Sequence, residues 1–254
     1  MYEKMIGPLE KKFENKIKKI LIAQGEAIAQ AYLKYVKENK DNEDITEEEA
    51  EKKAEEISDK IFKEDEGVQT TLAALLPFYI EAGKLGAEFF ENIHVTNQEG
   101  TIYNIIRDDY MNWLNTYGCE RIVMVSRTTK EITRQILKKG LLAGDSTDKI
   151  ANTLSSLIED YSKHRALRIA NTEMHNTFMR ANMFSANASG FKYKKWITCR
   201  DNAVRSTHQT LDGKVVGINE DFKPGLSYPG DPRADKRETI RCRCIVRYLM
   251  EKEE

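Results

Sequence analysis

Leu9, Phe13, Ile17, Leu21, Ile28, Tyr32 and Tyr35 recur at helical intervals, broken at Gln24-Gly25. The pattern predicts an amphipathic helix with a bend at Gly25. The acidic run from Glu38 to Asp44 reads as a solvated connection. Thr46 and Glu49 form a capping box, in which hydroxyl and carboxylate satisfy the orphan N–H groups of a helix start. Ala50, Ala54, Ile57 and Ile61 line the inward face that follows. Val68 to Phe90 is the most apolar helical stretch, and Pro77 within it predicts a kink or a helix start. Asn97 is placed to cap a helix facing inward through Ile102, Ile106, Tyr110, Trp113 and Tyr117, with Gly118 as its end. Ile122 to Val125 reads as a short strand. Thr128 and Glu131 make a second capping box before Ile132 and Ile136, and Gly140 closes that helix. Asp145 with Asp148 opens the next, with Ile150, Leu154, Leu157 and Tyr161 inward.

Ser162 to Asn187 reads as a further helix. Leu167, Ala170, Met174, Phe178 and Ala181 form its apolar face, and Arg165, Thr172, Glu173, Asn176 and Arg180 cluster opposite. After Gly190 the pattern changes. Phe191 to Thr198 reads as a strand, Asp201 to Leu211 as a turn with a short helix, and Asp212-Gly213 as a tight turn before a second strand at Lys214-Val215-Val216. Glu220 to Lys236 is loop, and Ile240 to Leu249 a third strand. The expected fold is α+β: a mainly helical N-terminal half, then a C-terminal module of helices plus a small antiparallel sheet. The boundary is expected near 120, giving a helical interaction region at 1–120 and the C-terminal module at 121–254.

Composition adds three limits. No run of about 18 apolar residues occurs, so no membrane span is expected, and Met1 to Leu9 lacks an apolar signal core. Four cysteines in 254 residues are not a disulfide framework, which suits a reducing cytoplasm. The net charge is −1 but unevenly spread. Residues 38–66 hold 14 acidic and 5 basic side chains, a net −9, while residues 190–247 hold 13 basic and 7 acidic, a net +6. A basic C-terminal module can touch phosphate or an acidic protein surface; the alternative is a solvated surface with scattered lysines.

The unusual residues concentrate between Trp196 and Cys244: Cys199, Asp201, Arg205, His208, Leu211-Asp212-Gly213, Tyr228-Pro229-Gly230-Asp231-Pro232 and Cys242-Arg243-Cys244. This ordered set, with Arg168-Ile169-Ala170-Asn171-Thr172-Glu173 upstream, resembles the C-terminal core of phage minor head proteins of the Mu F type, also called head morphogenesis proteins. The resemblance runs from about Ser126 to Met250. It implies a minor capsid protein of a tailed phage or prophage, acting in prohead assembly. Its implied partners are the portal protein and the major capsid or scaffolding protein, with packaged DNA in some members. The implied location is the virion interior, after assembly in the host cytoplasm. The resemblance also implies that Thr172 and Glu173 are buried against the C-terminal module. A buried carboxylate needs a partner, and Arg205 or Arg241 is the expected one.

Cys242 and Cys244, two apart, point to one face if they lie on a strand. His208 is a natural third metal ligand, and Cys199 or His175 a fourth, a set that zinc accepts. In the family pattern, cysteines stand at the positions of Arg205 and His208 and make a metal knot with the closing Cys-x-Cys. Arg205 replaces one of them here, and its cation opposes a metal. No cofactor is therefore the expected outcome, with His208 paired to Asp201 or a carbonyl; the alternative is a closed zinc site. A Cys–His or Glu173–His208 catalytic pair is also conceivable, but no oxyanion glycine pattern, phosphate loop or paired-histidine motif accompanies it. The Pro-Gly-Asp-Pro turn is expected to shape a loop over the sheet edge. Two function classes remain: a non-enzymatic virion component, and a metal- or thiol-dependent hydrolase or toxin-associated module. The chain stops at Glu254, just past the last motif, which favours the first.

Overall fold

The computed structural model describes residues 1–38, 46–62, 64–94 and 102–252, with backbone alone at 64–69, 117–126, 158, 159, 161 and 163. Asn97, the connection after Glu38, and the side chains of Val68, Tyr117 and Tyr161 lie outside the described parts. The elements run α1 (Tyr2–Glu38), α2 (Glu47–Ile61), α3 (Glu64–His94), α4 (Ile102–Leu142), α5 (Thr147–Ala188), β1 (Tyr193–Ile197), α6 (Ser206–Gln209), β2 (Val215–Gly217), α7 (Lys236–Thr239) and β3 (Ile245–Leu249). The fold is α+β and mainly helical, with one antiparallel sheet in the order β2-β1-β3. Among the described residues, no helix is long and apolar enough to cross a membrane.

Among the described residues, the helices are longer and fewer than the pattern predicts. α1 passes through Gly25, and Pro77 lies inside α3 rather than at its start. α4 runs unbroken across Gly118, across the expected strand at Ile122 to Val125, and across the expected capping box at Thr128 and Glu131. One interior glycine costs a helix only about 1 kcal/mol. Buried Ile106, Tyr110 and Leu114 before it, and Ile136 and Leu137 after it, hold both halves in place. Helix propagation then carries the short β-prone run with it. Thr129 and Thr133 are buried inside this helix, and the Thr133 hydroxyl donates back to the Thr129 carbonyl. The expected boundary near 120 falls within α4.

The helix expected from Ser162 is likewise the second half of α5. Its start is set at Ser146, whose hydroxyl accepts from the Lys149 N–H at 3.3 Å, whereas Asp145 forms an ion pair with Lys149 at 2.5 Å. The capping box of α2 forms as predicted: Thr46 accepts from the Glu49 N–H, and the Glu49 carboxylate accepts from the Thr46 N–H at 2.8 Å.

Contacts divide the chain into two compact units, and α1, α3, α4 and α5 each contribute to both. The second, Asn15–Leu75 with Thr116–Ala166, is helical. Its core joins Ile28 and Tyr32 of α1, Ala54 and Ile57 of α2, Leu137 of α4, and Ile150 and Leu154 of α5. Leu157, expected inward, is exposed. The first unit, Met1–Glu14 with Leu76–Asn115 and Leu167–Glu254, contains the sheet and every residue of the sequence motif.

In the sheet, β1 is central. Lys195 pairs with Val215 and Arg247, and Trp196 with Val246. Trp196 and Lys194 are both fully buried, with Trp196 stacked edge-on against Phe222. The third strand starts later than expected, at Ile245, so Cys242 and Cys244 lie in the loop before it rather than on it.

Candidate functional site

The second half of α5 organises the first unit. From Thr172 to Met179 every side chain is buried, polar ones included. A helix buried on all sides must give each polar group an internal partner. Leu167, at its edge, is exposed despite its place on the expected apolar face. Thr172 Oγ1 donates to the Arg168 carbonyl at 2.8 Å and accepts from the Arg241 N–H at 3.1 Å. That second bond holds Arg241 at φ 54°, the left-handed region a non-glycine residue adopts only when its surroundings require it. Glu173 is 5% exposed and accepts from the Tyr79 phenol at 3.1 Å. The motif pair is thus buried as the resemblance implies. It is Thr172 that engages Arg241, through its backbone. Arg168 is exposed and contributes its carbonyl. Asn182 donates to the Gly86 carbonyl at 3.2 Å, where α3 and α5 cross so closely that a Cβ on Gly86 would sit 2.3 Å from the Phe178 oxygen.

The Tyr228-Pro229-Gly230-Asp231-Pro232 turn docks on the same helix. Gly230 has φ 85°, and a Cβ there would lie 2.0 Å from Asn176 Oδ1, so only glycine serves. Asp231 is 1% exposed and knots the loop together. It accepts from the Ser227 and Arg233 N–H groups, each at 3.1 Å, and from the Arg233 guanidinium at 2.7 Å. The Arg180 guanidinium lies over the rings of Phe184, Tyr228 and Trp113, at 4.2, 5.7 and 5.8 Å. Polar Arg180 therefore joins α5, α4 and the loop by cation–π contacts.

His208 of α6 meets the two loop cysteines. Its Nδ1 is 3.5 Å from Cys244 Sγ and 3.7 Å from Cys242 Sγ. Its Nε2 is 2.9 Å from Glu238 Oε2, outside hydrogen-bond alignment, and Thr207 donates to the same oxygen at 2.9 Å. Trp196 packs edge-on against the imidazole at 5.1 Å. The expected partner of His208, Asp201, instead binds Arg243 at 2.6 Å. That guanidinium holds the Asp201 carboxyl below the usual carboxylate range. The Cys242 thiol is held below its ordinary value, first by the hydrogen bond from Cys244, while that bond and burial push Cys244 up. His208, Cys242 and Cys244 are 1%, 2% and 3% exposed. The exposed Cys199 thiol donates to the Arg243 carbonyl at 2.9 Å.

The remaining motif residues fix this loop system. Arg205 donates to the Ile240 carbonyl. Asp212 accepts from the Thr198 N–H at 2.8 Å and from Arg200 at 3.1 Å. Gly213 turns the chain at φ 80° and donates to the Trp196 carbonyl at 2.8 Å. His175 stands apart from the cysteines, bonded to the Tyr2 phenol at 2.5 Å, and burial pushes its pKa down to about 4. Sequence reasoning missed Tyr2, Glu238 and Lys194. Lys194 Nζ donates to Ser227 Oγ at 2.8 Å, and the only sign of its burial is its two-residue offset from Trp196 on one strand face. A cleft of about 770 Å³ opens beside the group, lined by Tyr2, Glu10, Asn171, Arg205, Arg241 and Cys242 among others.

Part of the chain is similar to known proteins. Residues 130–247 match the family described as Phage Mu protein F like protein. The uncharacterized protein YqbB of Bacillus subtilis (strain 168) is 28% identical over 152 residues, covering 57% of this chain and 50% of its own. The minor head protein GP7 of Bacillus phage SPP1 is 28% identical over 125 residues, 46% of this chain and 40% of its own. The NAD(+)--arginine ADP-ribosyltransferase EFV of Enterococcus faecalis (strain ATCC 700802 / V583) is 36% identical over 124 residues, 46% of this chain and 25% of its own. The chain thus spans half or less of the length of these curated relatives. No solved structure matches it. The buried Thr172-Glu173 pair, the Pro-Gly-Asp-Pro turn and the closing Cys-Arg-Cys all fall inside the segment that is similar to the Phage Mu protein F like family.

Proposed function

We propose that this chain acts in prohead assembly as a non-enzymatic component bound at the portal and the inner capsid. It assembles in the host cytoplasm and stays in the virion interior. The observation that carries this reading is the burial of the chemistry-bearing motif residues. Glu173, His208, Asp231, Cys242 and Cys244 are all at most 5% exposed and hold the loops to α5 and to one another. Such a module is a rigid anchor, and partner contacts fall to exposed surface. The portal protein and the major capsid or scaffolding protein are the proposed partners. The net +6 of residues 190–247 supports weak, sequence-independent contact with DNA phosphates, which falls steeply with salt. The segment shared with the Enterococcus transferase is read as the head-type module, with no NAD chemistry assigned to it. The test is deletion of the gene in the phage or prophage that encodes it, with mass spectrometry of purified heads. Peptides of this chain are expected in wild-type heads, and defective heads in the deletion. Normal infectious heads lacking the chain would refute the proposal, as would arginine ADP-ribosylation by the purified protein.

A further inference from the structure

His208, Cys242 and Cys244 are buried and bring one nitrogen and two sulfurs within 4.8 Å of one another. A tetrahedral zinc with ordinary bond lengths separates a thiolate sulfur from an imidazole nitrogen by roughly 3.5 Å. The two distances here, 3.5 and 3.7 Å, match that spacing. Both sulfurs address the same ring nitrogen. A neutral imidazole Nδ1 can accept one thiol proton or donate one, so it serves two thiols poorly as a hydrogen-bond partner. A shared cation would satisfy all three groups.

The far side of the ring carries the second mark. Nε2 lies 2.9 Å from the Glu238 carboxylate, which is itself held by the Thr207 hydroxyl. A metal-bound histidine characteristically gives its other N–H to such a carboxylate; here Glu238 is within reach of Nε2 but out of line with its N–H. Trp196 packs against the same ring and fixes its plane. Three elements converge here without a shared strand to align them: α6 brings His208, α7 brings Glu238, and the loop before β3 brings both cysteines. Arg205 is held by the Ile240 carbonyl and keeps its positive charge near the site, which the two thiolates must outweigh. Two thiolates and one divalent cation also cancel in charge.

We propose that His208 Nδ1, Cys242 Sγ and Cys244 Sγ bind a soft divalent cation of the zinc class, which ties α6 to the loop before β3 in a structural role. Binding replaces two thiol protons with metal bonds and releases those protons to solvent, with no change of oxidation state. The three side chains fill three of the four tetrahedral positions, and a water takes the fourth.

The test uses the full chain, purified without a histidine tag and under reducing conditions. Elemental analysis is expected to find one zinc per chain. After chelation, titration with cobalt(II) is expected to give thiolate charge-transfer bands and tetrahedral d–d bands at one equivalent. Zinc should then displace the cobalt. Cys242→Ser and His208→Gln should each lower metal affinity at least tenfold, the scale of lost ligands. The exposed His164→Gln is the control and should leave the affinity unchanged. Because the ligand variants can misfold, thiol labelling of the native chain gives a second readout. Cys199 should react freely, with Cys242 and Cys244 protected until chelator is added. Absence of zinc together with an octahedral or featureless cobalt spectrum would overturn the proposal. So would a Cys242–Cys244 disulfide under reducing conditions, or cysteine labelling indifferent to chelator.

Discussion

Lys194 makes a sharp test of how the first unit is packed. It lies in β1, the central strand of the sheet, opposite Val216 and Tyr248 in the neighbouring strands, and is fully buried. Its Nζ donates to the Ser227 hydroxyl and lies 5.5 Å from the centre of the Phe222 ring. Burial disfavours the ammonium and lowers the pKa from its ordinary 10.5 to about 8, even though Asp221 and Asp231 pull the other way. The unfolded chain therefore holds the proton more tightly than the folded one. Stability is lowest below pH 8, rises between pH 8 and 10.5, and is fully present above the unfolded value. Lys194→Met keeps the length of the stem and removes the titration. From the two pKa values, the stability of wild type relative to Lys194→Met should rise by about 1.4 kcal/mol between pH 7 and pH 9. Urea unfolding of both proteins at pH 7, 8 and 9 measures this difference. Tyrosines and surface groups are common to both and cancel. Parallel pH profiles would show that the ammonium is solvated in the folded state, and would refute the account of β1.

Two further substitutions probe the crossing and docking on α5. Gly86→Ala forces a Cβ to 2.3 Å from the Phe178 carbonyl oxygen, a backbone atom that cannot rotate away, and should cost at least about 1–3 kcal/mol in thermal or urea unfolding. An unchanged midpoint would mean that α3 and α5 do not cross there. Thr172→Val keeps the shape but leaves the Arg241 N–H without its acceptor, an expected loss of about 1–3 kcal/mol, whereas Thr172→Ser should recover much of it. Equal losses in the valine and serine variants would assign the effect to packing instead.

The α+β class, the three strand positions and the capping box at Thr46 are legible because each rests on local chemistry: alternation, turn residues, a hydroxyl three residues before a carboxylate. The helix boundaries in α4 and α5 are not. Gly118, Thr128 and Ser162 are ordinary stop and start residues, and what overrides them is tertiary burial on either side, which no local window contains. The motif residues gather in the first unit, but not all of them meet the partners expected from the sequence. Asp201 is an expected partner of His208, yet Arg243 takes it. Glu238 stands beside the imidazole instead, and in the sequence it is one acid among seven in residues 190–247, with nothing local to set it apart. His208 does meet the cysteines, but by another route than alternation suggests. The strand supposed to align the two sulfurs begins only at Ile245, and the loop before it does the aligning.

The first unit is built from three separated stretches, Met1–Glu14, Leu76–Asn115 and Leu167–Glu254, and this imposes an order on its making. Phe13 finds its ring partners Phe78 and Tyr79 once the second stretch has emerged from the ribosome. Tyr2 must wait for His175, 173 positions later, and for Phe178. At ordinary synthesis speeds that interval is roughly 10–35 s. Throughout it the buried face of the first turns of α1, Ile6 and Leu9 included, has no finished site to enter. The first turns of α1 are thus the natural place for a chaperone to hold, and premature termination within this interval leaves them a sticky, unfinished product.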